Sequence, residues 1–173
     1  MSKFQDILKG GNLRSIGKAN EIVGMVNNQT AFDELFESLT HSDRKVVMRT
    51  ADAIEKITLR KSDFLQKHKS ELLDLCQSAK EIELKWHLAL LVSRLILTQK
   101  ELGNTWDLLT KWGTDRKESK IVRVNSIQGL FNLLQQNPEL SQDFNLTLSE
   151  IEKEKIASLN ARIRKLKDTS RFS

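Results

Sequence analysis

The feature that most constrains the fold is an apolar pattern that the sequence repeats every 38 residues. Val46, Leu84 and Val122 are related by two successive steps of 38 positions. Three more positions recur at this interval with apolar or small side chains: Ala51, Ala89 and Ile127; Ile54, Val92 and Leu130; Ile57, Leu95 and Leu133. The recurrences lie in segments with the spacing of amphipathic helices. A period of about 20–50 residues is typical of a solenoid, whose units bury their apolar faces by stacking on one another.

Each repeat contains a short first helix, a polar turn and a longer second helix. The first helices share an apolar triplet: Leu35, Phe36 and Leu39; Leu72, Leu73 and Cys76; Leu108, Leu109 and Trp112. No segment shows the alternation of β-branched residues that is typical of a strand. The sequence therefore predicts an all-α fold.

The net charge of +5 is confined to the carboxy-terminal part of the sequence. Residues 153–173 contain seven basic and two acidic side chains, a difference that equals the whole excess, so residues 1–152 are neutral. A neutral body disfavours general binding to polyanions. No apolar run approaches the roughly 20 residues that cross a bilayer. The single cysteine, Cys76, fits a reducing compartment, and we expect a cytoplasmic protein that makes no contact with membranes.

Two segments carry a family resemblance. VVMRTADAIEKI (residues 46–57) and IVRVNSIQGLFNL (residues 121–133) resemble the second helix of HEAT-like repeats of the ARM/HEAT class, in which V-R-x-x-A-A-x-A-L precedes a further apolar position. Asp43 and Asp115 lie in polar turns similar to those of the family. Val47 departs from the pattern, because the family often has Arg there, whereas Lys85 and Arg123 keep the positive charge. The resemblance implies a scaffold that binds other macromolecules.

Together, the period and the resemblance predict a right-handed α-solenoid of about four HEAT-like helix pairs with an N-terminal helical cap. We expect a single repeat domain over residues 1–173. Within it, residues 1–29 would form the cap, residues 30–136 three clear repeats, and residues 137–173 a degenerate C-terminal repeat with a basic tail.

The resemblance implies that the second helices line a concave surface. Helical spacing predicts that rows of polar side chains from successive repeats lie on this surface. A groove of cationic and amide side chains would suit a protein segment with acidic or exposed backbone groups. Trp86 and Leu90, one turn apart, would add an apolar anchor. The predicted partner contacts are Arg49, Lys56, Trp86, His87, Leu90, Arg94, Asn125, Gln128 and Asn132. The competing interpretation is an ordinary solvated helix face on which Trp86 simply packs.

The sequence contains no pattern of residues that predicts a metal, a cofactor or a catalytic site. Glu83 and His87 are four residues apart, but no further ligand lies at a suitable spacing. Cys76 aligns with core positions and is read as a buried apolar residue. We therefore predict a non-catalytic protein that binds an unidentified protein partner.

Nucleic-acid binding is the alternative. The basic C-terminal helix supplies Arg162, Arg164, Lys165 and Lys167, although Phe172 is the one aromatic residue nearby. Some HEAT-like solenoids resemble alkylpurine DNA glycosylases, for which Trp106-Asp107 and Trp112 with Asp115 are the nearest match. The neutral body disfavours the glycosylase form of this hypothesis, and a soluble capping helix is the competing interpretation of the basic C-terminal helix.

Overall fold

A computed structural model describes residues 3–9 and 16–170 of the chain. Within these ranges all regular secondary structure is helical, as the sequence predicts. The chain divides into two compact units, residues 1–68 (unit 1) and residues 69–173 (unit 2).

The described residues of unit 1 form four α-helices and two short 3₁₀ segments. The helices are α1 (Lys3–Lys9), α2 (Ile16–Met25), α3 (Gln29–Phe36) and α4 (Arg44–Thr58), and the 3₁₀ segments are Glu37–Thr40 and Ser62–His68. The longest helix, α4, packs against α1, α2 and α3. The core around it contains the fully buried side chains of Phe4, Leu8, Ile22, Phe32 and Ile54.

Carboxamide and carboxylate side chains cap α3 and α4. The sequence pattern favours Thr30 and Ser42 as N-caps, but the structure places Asn28 and Asp43 there. Asn28 Oδ1 accepts a hydrogen bond from Ala31 N at 2.9 Å, and Asp43 Oδ1 accepts one from Lys45 N at 2.8 Å. Asn and Asp are at least as effective as Ser and Thr in this role, so either choice satisfies the first helical turn.

Unit 2 contains three helical hairpins. Its helices are α5 (Lys69–Ser78), α6 (Ile82–Val92), α7 (Gln99–Thr114), α8 (Lys120–Leu133), α9 (Ser141–Glu152) and α10 (Ala157–Ser170), with a 3₁₀ turn at Pro138–Leu140. The hairpins are α5/α6, α7/α8 and α9/α10. The second helices form one layer, in which α8 packs against both α6 and α10. The first helices lie on the other side, where α7 contacts α9.

The helix boundaries reproduce the 38-residue period. Helices α4, α6 and α8 begin at Arg44, Ile82 and Lys120, two steps of 38. Val46, Leu84 and Val122 are each the third residue of their helix; Val46 and Val122 are fully buried, and Leu84 is half-buried. The repeated pattern therefore marks structurally equivalent helices. The handedness of the stack and the number of repeats stay predictions.

One glycine permits a close helix approach within unit 2. A Cβ atom at Gly129 of α8 would lie 2.5 Å from the carbonyl oxygen of Ala89 on α6 and 2.9 Å from Leu109 Cδ1 on α7. Only the missing side chain allows α8 to come this close to the α6 backbone.

Candidate protein-binding surface

Side-chain hydrogen bonds fix the alignment of α6 and α8. Asn125 Nδ2 donates to Trp86 O at 3.0 Å, and Asn132 Nδ2 donates to Ser93 Oγ at 3.0 Å. Beyond the helix ends, Leu97 N donates to the side-chain oxygen of Gln136 at 3.1 Å. Each bond joins residues 39 apart, so the two parallel helices are held at one register along their whole length.

The same network continues to α10. Gln128 Nε2 donates to Asn132 Oδ1 at 3.0 Å, and Arg162 on α10 donates to Gln128 Oε1 at 2.7 Å. A chain of polar contacts therefore crosses the whole layer of second helices. Such a network holds the side chains in defined positions before any partner arrives.

Two ion pairs join α6 and α8, one each, to the hairpin that follows. Lys85 Nζ lies 2.6 Å from Glu118 Oε2. Arg123, only 2% exposed, donates to both carboxylate oxygens of Glu154 at 3.0 and 2.8 Å. These hydrogen bonds from Arg123 lower the pKa of Glu154 below its ordinary value, against the opposing effect of burial. Lys85 and Arg123 occupy the two positions where the sequence keeps the family's positive charge.

Unit 1 contains a partly buried polar cluster around Asp33. Its Oδ1 accepts from Gln29 Nε2 at 2.7 Å and lies 2.8 Å from His68 Nε2, while Lys67 pairs with Oδ2. The His68 ring stacks on Phe36 with 4.1 Å between centroids. Partial burial acts to raise the pKa of Asp33, but the hydrogen bonds from Gln29, Lys67 and His68 outweigh it and lower the pKa to about 2. The cluster fastens the Ser62–His68 segment to α3.

Two of the predicted partner contacts are buried. Arg49 is 3% exposed and donates to the backbone oxygen of Leu8, and His87 is 5% exposed. Almost none of either side chain lies on the surface. From residue type and helical spacing, Arg49 and His87 are predicted to lie on the solvent-facing side of their helices. In the structure, neighbouring helices cover them.

The other predicted contacts keep some exposed surface. Lys56 is half-buried and pairs with Asp52 at 2.7 Å. The remaining members are half-buried and lie on α6 or α8 or immediately after α6: Trp86, Leu90, Arg94, Asn125, Gln128 and Asn132. Of these, Asn125 and Asn132 use their amide nitrogens to bind α6, as described above.

We use the name three-helix surface for six half-buried or exposed side chains on the helices of this layer: Trp86 and Leu90 on α6, Ile121 and Gln128 on α8, and Arg162 and Lys165 on α10. Ile121 is 45% exposed, and Lys165 is also exposed. Apolar side chains dominate the α6 end of this surface, and cationic ones the α10 end. The sequence predicts Trp86, Leu90 and Gln128 as partner contacts, but it does not single out Ile121, Arg162 or Lys165 as contacts of a protein partner.

The two tryptophans behind the glycosylase hypothesis are buried, whereas Arg162 on α10 is half-buried and Arg164, Lys165 and Lys167 are exposed; Phe172 lies outside the described residues. Trp106 is 4% exposed and donates from Nε1 to Asp143 at 2.7 Å, and Trp112 is 6% exposed. Neither ring is presented for stacking on a nucleotide. Burial raises the pKa of the Cys76 thiol to about 12. In the described part of the chain, His, Cys, Asp and Glu side chains form no group of three that could hold a metal ion.

Across residues 3–9 and 16–170, each helix is too short or too polar to cross a lipid bilayer.

Comparison with known proteins gives one result. The model of a family described as HEAT repeat domain matches residues 11–168. Neither the curated proteins nor the solved structures compared with the chain gave a match.

Proposed function

Since the chain belongs to the HEAT repeat domain family, whose repeats generally mediate protein–protein interaction, we propose that it is a non-catalytic binding module. Its three-helix surface holds a segment of a partner protein. One observation carries the proposal: hydrogen bonds already hold the second helices of unit 2 together, and Trp86 and Leu90 in this layer are only half-buried. A cytoplasmic location and a right-handed stack belong to the same proposal.

The α6 end supplies the apolar anchor. Trp86 and Leu90 lie one turn apart, and Ile121 lies in the first turn of the neighbouring helix. Tryptophan is among the residue types that most often dominate binding energy. Because the backbone oxygen of Trp86 accepts from Asn125 at 3.0 Å, the backbone that carries the ring is already fixed against α8 before a partner binds.

The α10 end supplies the charge. Arg162 is held by Gln128 at 2.7 Å, and Lys165 lies one turn further along α10 on the same side. A guanidinium and an ammonium group in this arrangement recognise carboxylates. The partner segment is therefore one that carries a large apolar side chain towards α6 and an acidic side chain towards α10.

Of the contacts predicted from the sequence, Trp86, Leu90 and Gln128 belong to the proposed binding surface. Ile121, Arg162 and Lys165 are further members of that surface. The proposal does not use Arg49 or His87, because both are buried. Arg94, Asn125 and Asn132 support the layer or lie at its edge.

Site-specific photo-crosslinking in cells of the source organism tests the proposal. A benzophenone amino acid is placed at Ile121 or at Lys165, and in a matched control at Asp107, which is exposed on α7 in the opposite layer. We expect positions 121 and 165 to capture the same protein and position 107 not to capture it. In a lysate of the same cells, nuclease treatment before irradiation should leave the capture unchanged.

Two results would overturn the proposal. Equal capture of this protein from position 107 would show that the three-helix surface has no special role. Loss of capture after nuclease treatment would favour the nucleic-acid alternative, in which the basic residues of α10 contact phosphate groups.

A further inference from the structure

Unit 1 contains a cleft of about 430 Å³ at the carboxyl ends of α2 and α4. Its floor is apolar and includes Val26 and Ile57, which are 4% and 5% exposed. Leu59 stands beside the floor and is 69% exposed. Polar groups from both helix ends complete the lining: Asn20, Asn27, Lys56, Arg60 and Lys61. A strongly exposed apolar side chain beside a cleft with polar edges is typical of an interaction site.

The charges of the lining are all positive. Lys56 is compensated by Asp52 at 2.7 Å. Lys61 donates to Asn27 O at 3.0 Å and lies 5.2 Å from the ring centroid of Phe64. Arg60 is exposed. The cleft thus has a surplus of positive charge at its rim above an apolar floor.

The carboxyl ends of α2 and α4 modify the positive electrostatic potential of the cleft without reversing its sign. The last carbonyl groups of α2 and α4 carry partial negative charge, which acts within about one helical turn. It therefore acts on the apolar floor next to the helix ends, whereas the positive charge of Arg60 is on an exposed side chain. A ligand with its apolar part on the floor and its anionic groups at the rim would match both the apolar floor and the positively charged rim.

We propose that this cleft binds a short acidic–apolar protein segment, in which one or two large aliphatic side chains are flanked by carboxylates. The volume lies in the range of about 300–1,000 Å³ that accommodates compact ligands. Asn20 Oδ1 accepts from Lys56 Nζ at 3.2 Å and Asn27 Oδ1 from Asn28 Nδ2 at 3.0 Å. The amide nitrogens of Asn20 and Asn27 favour a peptide over a fatty acid, because a peptide backbone offers carbonyl acceptors to both. The site is separate from the three-helix surface and does not depend on the function proposed for it.

Fluorescence polarisation with synthetic peptides tests the inference on the full chain. The probe is a labelled hexapeptide with two leucines flanked on each side by two glutamates. The matched probes replace the glutamates by lysines, or the leucines by serines. We expect saturable binding of the first probe at low salt and none of the other two.

Three variants locate the binding. Arg60→Glu should weaken it about fivefold, because attraction to the carboxylates becomes repulsion. Leu59→Ser should weaken it about tenfold through lost apolar contact. Lys45→Glu makes the same charge change at an exposed position in the first turn of α4, away from the cleft, and should have no effect. Thermal unfolding of each variant shows whether the fold is kept.

The contradicting outcomes are distinct. Absence of saturable binding by the acidic probe, or equal binding of the lysine probe, would overturn the inference. An equal loss of affinity for Lys45→Glu would also overturn the inference, because the loss would then reflect the overall charge of the protein and not the cleft. Sodium oleate provides the comparison with a lipid anion: if it displaces the acidic probe and binds more tightly, with the same dependence on Arg60, the site is one for fatty acids.

Discussion

The buried guanidinium of Arg123 is neutralised by Glu154, a residue of the next hairpin. Both carboxylate oxygens accept from it, at 3.0 and 2.8 Å, and Arg123 Nε donates to Gly113 O at 2.9 Å. The guanidinium therefore joins α8 to the end of α7 and to the segment between α9 and α10. Because a buried charge without its counter-ion is costly, the contact specifies how these hairpins pack on each other.

Removing the carboxylate should destabilise the protein. We expect Glu154→Ala to lower the free energy of unfolding by about 3 kcal/mol, because it leaves the Arg123 charge buried and uncompensated. Urea denaturation measures the change. The matched control is Glu150→Ala, since Glu150 pairs with Lys153 and both side chains are 67% exposed; its effect should stay within about 0.5 kcal/mol. Similar effects of the two substitutions would contradict the structural role assigned to Glu154.

The close approach at Gly129 predicts opposite effects for two glycine-to-alanine changes. Gly129→Ala places a methyl group 2.5 Å from Ala89 O, so backbone must move, and we expect a loss of about 1–3 kcal/mol. Gly103→Ala lies on an exposed part of α7 with no atom within 4 Å of the added Cβ. It should stabilise the protein by about 0.5–1 kcal/mol through helix propensity. Thermal denaturation compares the two, and a stabilised Gly129→Ala protein would disprove the close approach.

The Asp33 cluster predicts a dependence of stability on pH. The pKa of Asp33 is lowered from 3.8 to about 2 in the folded protein. Its ionised form therefore stabilises the fold above pH 4, and this contribution is lost as the pH falls from about 4 to 2. Since Asp33 is partly exposed to solvent, we expect a contribution of about 1 kcal/mol.

Asp33→Asn isolates this contribution. Urea denaturation of the wild-type protein and of this variant should show a difference at pH 7 that shrinks by most of that amount at pH 2. A difference that stays constant between the two pH values would mean that ionisation of Asp33 does not stabilise the cluster.

The thiol of Cys76 should react only when the protein opens. The side chain is 2% exposed, and burial raises its pKa to about 12, so almost no thiolate is available at pH 8. We expect an aromatic disulfide reagent to label Cys76 slowly in buffer and rapidly in denaturant. Rapid labelling of the folded protein would show that the α5 core is open to solvent.

The period of the apolar residues predicted the repeated helices because burial imposes it. Val46, Leu84 and Val122 recur at one interval, and each is the third residue of its helix. Helical periodicity reports which residues face a core, so the all-helical architecture could be read from the sequence. The packing partner of each helix could not be predicted in this way: the sequence predicts a degenerate C-terminal repeat over residues 137–173, but not the hydrogen bond from Arg162 on α10 to Gln128 on α8.

The polar residues were less predictable because their role depends on what lies opposite. Asn125 and Gln128 have the spacing of a surface row, but Asn125 binds the α6 backbone and Gln128 binds α10. Asp33 and His68 are 35 positions apart, and no local pattern joins them. Helical spacing fixes the side of the helix on which a residue lies. It does not say whether water or another helix covers that side.

The binding function is tested most directly with the protein captured by crosslinking from Ile121 and Lys165. Isothermal titration compares its affinity for the wild-type chain, for Lys165→Glu and for Lys111→Glu, which makes the same charge change at an exposed position of α7. We predict that Lys165→Glu weakens binding about tenfold, through repulsion of the partner's carboxylate, and that Lys111→Glu leaves it unchanged. Equal affinities for all three proteins would contradict a binding role for the three-helix surface.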